Sequence, residues 1–224
     1  MRLSDKTTKI LQNFTSINQS LHFKEGNTLR TISVMKNVLA EAEIDEYIPR
    51  EFAIYDLPQF LNTLSLTNAA SIDVTTDHSH ALIRGNSSNK TKFFFCDPSV
   101  IVAPPEKQMT LPSVDVEFML GEQDLKSLLK ASSIMQLPDL SVVGNGSTVE
   151  VVVSDRKNDT SNEFNLTVGQ TESTFSFNFK IENIKTLIGG YHVSISKKNL
   201  AKFYSSAYKL TYFIALEPDS TFDE

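Results

Sequence analysis

The sequence predicts an α+β chain made of two similar halves. Three observations carry this. Helical stretches are few and well separated, at 4–18, 57–64, 122–134 and 181–188. Short runs of alternating or β-branched residues fill the space between them. Four of the eight prolines (Pro98, Pro104, Pro105 and Pro112) crowd into residues 97–113, where an extended connector is expected.

The first helix is expected over 4–18. Ser4 suits the N-cap, and Asp5 lies in the first turn, where the helix dipole favours an acid. Ile10, Leu11, Phe14 and Ile17 share one face, with Lys6, Lys9, Asn13 and Ser16 opposite. Strands are expected at 29–34, 38–44 and 51–55. A short helix with proline in its first turn follows at 57–64. Strands at 72–75, 81–84 and 92–96 come next, joined by turns through Asp77-His78-Ser79-His80 and Gly85-Asn86-Ser87-Ser88.

The second half repeats the order. A helix at 122–134 turns Leu125, Leu128 and Leu129 inward. Strands at 140–143 and 148–153 flank Gly144-Asn145-Gly146, a strong hairpin signal. Strands at 164–168 and 174–179 precede a second short helix at 181–188, stopped by Gly189-Gly190. Strands at 191–196 and 209–216 close the chain. Each half therefore runs long helix, strands, short helix, strands. This organisation places one domain at 1–97, a connector at 98–113 and a second domain at 114–224.

The opening MRLSDKTTKILQNFTSIN is similar to the start of the T-even bacteriophage DNA polymerase sliding clamps. So are FAIYDLPQFLNTLSL at 52–66, CDPSVIVAP at 96–104 and TFSFNFKIENIK at 174–185. The ending ALEPDST at 215–221 resembles that family and also the C-terminal segment of the eukaryotic clamp, the proliferating-cell nuclear antigen. The matches keep their order over most of the chain, although 70–95 and 145–170 match poorly. The resemblance implies a DNA clamp fold with two domains per chain, sheets outside and helices lining a ring of three subunits around duplex DNA. It implies a DNA polymerase and a clamp-loader ATPase as partners, and a link to late transcription. Family rings hold six domains, so two per chain require three chains. Head-to-tail contacts that close generate such a ring, and unpaired edge strands can form them.

Charge adds to this picture. The formal net charge of −6 argues against a protein that grips DNA by phosphate neutralisation. The helical segments and their immediate starts nevertheless carry six lysines (Lys6, Lys9, Lys126, Lys130, Lys180 and Lys185) against four acids (Asp5, Glu122, Asp124 and Glu182). The remainder holds fifteen basic and twenty-three acidic residues. A mildly positive lining would attract phosphates without braking. Lys6, Lys9, Asn13, Lys126, Lys130, Asn183 and Lys185 are the DNA-facing candidates. The bland alternative is that they form the solvated faces of amphipathic helices. Family clamps also take partner peptides with apolar anchors in a groove between domains. Val100, Ile101 and Val102 of the connector and Leu216 and Pro218 of the tail are the candidate walls. The alternative for residues 100–102 is that they dock the connector onto a sheet.

Catalytic patterns are weak. Ser-x-x-Lys occurs at 33–36, 127–130 and 194–197 without the companion motifs of a serine–lysine hydrolase. His78 and His80 lie beside Asp77, but no third and fourth ligand follows at a telling spacing, and a metal site is not expected. Glu41, Glu43 and Asp45 alternate, as on a solvated strand face. No phosphate-binding loop or dinucleotide fingerprint occurs, so neither ATP hydrolysis nor a cofactor is expected. Cys96, the single cysteine, is expected as a buried structural thiol. The opening residues show no apolar signal core, so a soluble protein of the host cytoplasm is expected. The N-x-Ser/Thr triplets then carry no glycans. Two rivals to a non-enzymatic clamp remain from residues alone: an oligomeric phage structural protein, and a metal-dependent DNA enzyme.

Overall fold

The computed structural model describes residues 1–66, 71–75, 79–85 and 89–223. The chain divides into two compact units. The first comprises Met1–Lys107 with Tyr208–Leu210, and the second Gln108–Ala207 with Thr211–Glu224.

The first unit opens with α1 (Asp5–Phe14). Ser4 caps it, its Oγ accepting from the Thr7 amide at 3.2 Å. Ile10, Leu11, Phe14 and Ile17 are all buried, as the helical spacing predicts. Burying a side chain of this size is worth roughly 1.5–3 kcal/mol, so this stripe fixes which face of α1 points outward. Strands β1 (Leu21–Phe23) and β2 (Gly26–Ile32) follow, then β3 (Val38–Ile48) and β4 (Phe52–Ile54). β1 pairs antiparallel with β4, and β2 with β3. Helix α2 (Leu57–Leu66) buries Leu57, Phe60, Leu61 and Leu64 and packs on α1. Its start is held by Asp56, whose Oδ1 accepts from the Gln59 amide at 2.7 Å. A three-stranded sheet of β5 (Ser71–Val74), β6 (His80–Arg84) and β7 (Lys90–Phe94) completes the unit. The two turns expected between these strands lie largely outside the described residues. Stacked and edge-on rings fill the centre. Phe23 lies 4.5 Å from Phe52 and 6.3 Å from Phe60, and Phe52 lies 4.7 Å from Phe95.

Residues 98–100 form a 3-10 turn rather than extended chain. The reason is local: the Asp97 carboxylate accepts from the Ser99 amide at 2.8 Å and caps the turn.

The second unit begins with β8 (Val116–Leu120), an element absent from the sequence reading, and α3 (Glu122–Met135). α3 buries Leu125 and Leu128, and Leu129 is half-buried. Strands β9 (Asp139–Asn145), β10 (Thr148–Ser154), β11 (Phe164–Gln170) and β12 (Thr174–Lys180) follow, then α4 (Ile181–Ile184). The hairpin between β9 and β10 forms where Gly144-Asn145-Gly146 places it. Gly146 takes φ +80°, and Asn145 Oδ1 accepts from the amides of Ser147 and Thr148.

Strands β13 (Tyr191–Ser196), β14 (Leu200–Ser205), β15 (Leu210–Ala215) and β16 (Thr221–Asp223) end the chain. One sheet runs β11-β10-β9-β12-β16, and β8-β13-β14-β15 lie side by side in another. The expected helix at 181–188 stops after one turn. The Leu187 amide bonds to Ile184 O, a tighter turn, and Gly189 takes φ +90°.

Candidate DNA-facing helices and partner surface

The two longer polar helices present their lysines differently. On α1, Lys9 is exposed, while Lys6 and Asn13 are half-buried. A carboxylate steadies the start of this helix. Glu46 on β3 accepts from the Ser4 amide and from Thr7 Oγ1, the latter at 2.6 Å. Burial works against its charge, but the hydrogen bonds from Thr7 and Ser4 outweigh burial and hold its pKa below the usual carboxylate value.

On α3, Lys126 and Lys130 are exposed, and Lys126 is paired one turn back with Glu122 at 2.6 Å. Lys185, just past α4, is exposed as expected. Asn183 is not: it is 8 % exposed, because the single turn of α4 packs down on β12 and β9. A DNA-facing role for Asn183 is therefore set aside. Lys180 lies half-buried with Nζ 2.6 Å from Asp139 Oδ1, and this bond to a carboxylate pushes its pKa up. Lys6, Lys9, Lys130 and Lys185 have no ion pair among the described residues.

The candidate peptide walls also separate. Val100 is 59 % exposed and Val102 is 37 % exposed, with Ile101 half-buried. Asn18 fixes this stretch, its Nδ2 donating to Val102 O at 3.1 Å and Ile32 O at 2.9 Å. Further on, Arg30 Nη1 donates to Pro105 O at 2.8 Å, and Lys24 pairs with Glu106. Those contacts edge a cavity of about 400 Å³ lined by His22, Lys24, Arg30, Glu51, Pro104 and Glu106. On its wall, His22 Nε2 lies 2.5 Å from Glu51 Oε1, and Arg30 Nε reaches outside the lining to Glu41 Oε2 at 3.0 Å. It serves as a polar clasp for residues 103–107. In the tail, Leu216 is buried and Pro218 is exposed.

Three residues that the sequence reading passed over hold that tail. Asn178 on β12 is 3 % exposed, and its carbonyl accepts from the Glu217 amide at 2.8 Å. Its amide and Nδ2 donate to Ser220 Oγ and Asp219 O. Arg156 Nη1 bonds Asp219 Oδ2 at 2.7 Å, and buried Asp139 braces both Arg156 and Lys180. Alternation in TFSFNFK places Asn178 opposite the phenylalanines, but nothing local signals that a tail forty residues on covers it.

The weak chemical patterns do not assemble. His78 lies outside the described residues, and His80 Nδ1 meets its neighbour Ser79 Oγ at 2.7 Å. Glu41 and Glu43 are engaged by Arg30 and Lys209. Among the described residues no three His, Cys, Asp or Glu side chains gather as a metal site would require. Cys96 is half-buried rather than buried, since it sits past β7 in a single bridge to Ala53; partial burial raises its thiol pKa.

Comparison with known proteins agrees over the whole chain. Residues 3–103 match the family described as DNA polymerase processivity factor, and residues 117–218 match gp45 sliding clamp, C terminal. The sliding clamp of Enterobacteria phage T4 is 32 % identical over 233 residues, covering 100 % of both chains. That of Vibrio phage KVP40 is 30 % identical over 223 residues, 97 % of this chain and 99 % of the relative. The fold extends further. Proliferating cellular nuclear antigen of Entamoeba histolytica superposes with a TM-score of 0.70 at 14 % identity, over 94 % of each chain. The same antigen of Thermococcus kodakaraensis gives 0.69 at 14 %, over 96 % of this chain and 98 % of that one. The fold is thus that of a DNA clamp. The chain belongs to the phage sliding clamp family, the processivity factors of DNA polymerase.

Proposed function

We propose that three copies of this chain close head to tail around duplex DNA and tether the replicative polymerase to it without catalysing a reaction themselves. Retention is topological: the ring leaves only when a subunit contact opens. A clamp-loader ATPase opens it, because the chain carries no nucleotide-binding loop of its own. The ring works in the cytoplasm of the infected host, where late-transcription factors can share it. Partners dock through apolar anchors, with residues 100–102 of the first unit and the tail about Pro218 of the second as two candidate surfaces.

One observation carries the ring. β7 and β11 each end a sheet with one side unpaired among the described residues, and their charges are opposite. β7 presents exposed Lys90 and Lys92, whereas β11 is flanked by exposed Glu163 and Glu172. Exposed edges invite pairing, and charge of opposite sign fixes which edge meets which. Lys6, Lys9, Lys130 and Lys185, without an ion pair among the described residues, would line the hole.

The test is retention on circular DNA. Loaded onto nicked plasmid by its loader, the clamp is expected to persist through gel filtration and to fall off when the plasmid is linearised. Native mass should show a trimer of about 75 kDa, three times the 25.0 kDa chain. Equal retention on circular and linear DNA would overturn the proposal.

A further inference from the structure

We propose that Arg156 and Asn178 are positioning residues for partner docking, holding the tail so that Pro218 is presented in one fixed conformation. This rests on the reading of the tail as a partner wall.

The geometry is that of a loop pinned on both sides of its tip. Before Pro218, the Glu217 amide donates to Asn178 O at 2.8 Å. After it, Asp219 receives Arg156 on its carboxylate at 2.7 Å and Asn178 Nδ2 on its carbonyl at 3.3 Å. Ser220 then closes the turn, its amide and hydroxyl both donating to Glu217 O, while its Oγ accepts from the Asn178 amide at 3.0 Å. Beyond the turn, β16 pairs with β12, and Phe222 stacks 6.0 Å from both Phe175 and Phe177.

Neither pinning residue is what packing alone would select. Asn178 is buried in a strand, where an apolar side chain would avoid the desolvation of an amide. Its Oδ1 is filled by Ser141 Oγ at 2.7 Å and Ser176 Oγ at 3.1 Å, which leaves Nδ2 aimed at the tail. Arg156 is aimed in turn by Asp139, which is 2 % exposed and takes the Arg156 amide at 3.3 Å. Polar groups of this cost are spent on geometry. A wall already fixed before the partner arrives loses less conformational freedom on binding, which shows as affinity. Pro218, with its own φ locked by its ring, extends the same logic to the exposed tip.

The experiment uses the full-length clamp and the cognate replicative DNA polymerase. Asn178→Ala would strand the hydroxyls of Ser141 and Ser176, so Arg156→Gln at a half-buried side chain, Asp219→Asn at an exposed one, and their double carry the test. Each single change is expected to weaken polymerase binding roughly five- to twentyfold. The double should be no weaker than the worse single, because the Arg156–Asp219 contact is common to both. Trimer mass should not change, and faster amide exchange should be confined to Glu217, Asp219 and Ser220. Arg156→Lys should restore part of the affinity. Val102→Glu and Pro218→Glu are measured alongside. If those two bind polymerase normally, the tail is no partner wall and both readings fall. If those two lose binding while Arg156→Gln and Asp219→Asn keep native affinity, the wall stands and the positioning role is overturned.

Discussion

Gly144→Ala isolates one packing decision inside the second unit. Gly144 sits on β9 opposite Phe175 of β12. A Cβ built there would lie 2.3 Å from Phe175 Cε1, 2.6 Å from Cζ and 2.7 Å from Cδ1. Carbon atoms settle at about 3.5–4.0 Å, so the ring must retreat by about 1 Å or more. It has little room: Phe175 is 2 % exposed and stacks on Phe177 and Phe222. Forcing an extra carbon into such a core costs about 1–3 kcal/mol. Losing glycine's excess chain entropy offsets roughly 0.5–1 kcal/mol of that. The net expectation is a loss of about 1–2 kcal/mol, or a fall in Tm of roughly 2–8 °C for a chain of this length. Thermal melts and urea titrations followed by circular dichroism read it. Phe175→Leu in the same chain should relieve the clash, so the double variant should lose less than the sum of the singles. A Tm for Gly144→Ala at or above that of the native chain would refute the reasoning.

Two further predictions concern charge. Glu46 has its pKa held down in the fold, so its contribution is complete above the unfolded carboxylate pKa and fades as pH falls through the lower folded value. Glu46→Gln should therefore flatten part of the acid-side loss of stability; its exposure limits the effect to about 1 kcal/mol or less. Identical urea midpoints against pH for both proteins would contradict this. Reversing Lys90 and Lys92 to glutamate should weaken the trimer about tenfold or more, and reversing Glu163 and Glu172 in the same chain should restore it. Analytical ultracentrifugation across a dilution series decides, and an unchanged trimer–monomer midpoint would remove β7 and β11 as the paired edges.

The parts of the fold that the sequence makes legible are those with local, repeated signals. α1 and α3 announce themselves through a cap or an acidic first turn and apolar residues at helical spacing. The β9–β10 hairpin announces itself through Asn145-Gly146. Four strands are missed for different reasons. β1 and β16 are three residues each, too short for alternation to register. β8 alternates cleanly, with Val116, Phe118 and Leu120 buried, but directly follows a proline-rich stretch that masks it. β14 pairs with β13 across a turn through Asn199 at φ +61°, which its sequence does not advertise.

The candidate site divides along the same line. Outward-facing Lys9, Lys126 and Lys130 follow from periodicity. The burial of Asn183, and the capture of Lys180 by Asp139 forty-one residues away, are tertiary facts with no local trace.

Those tertiary captures sharpen the electrostatics of the helices proposed to face DNA. Within the helix bounds the structure assigns, four lysines (Lys6, Lys9, Lys126 and Lys130) face four acids (Asp5, Glu122, Asp124 and Glu182). Any surplus of positive charge comes from the flanking residues Lys180 and Lys185, and Lys180 is already committed to Asp139. The acids stand in first turns, where they serve the helix ends more than they oppose DNA. The four lysines without an ion pair among the described residues, Lys6, Lys9, Lys130 and Lys185, would make about a dozen in a ring of three. If all of them neutralised phosphates together, binding would show the steep salt dependence of a tight DNA binder. In the proposed ring a duplex would touch only some of them at once, and the acidic remainder of the chain would repel it elsewhere. On the proposed ring, a protein of net charge −6 would gain little from affinity, and threading would keep it on DNA while it moves.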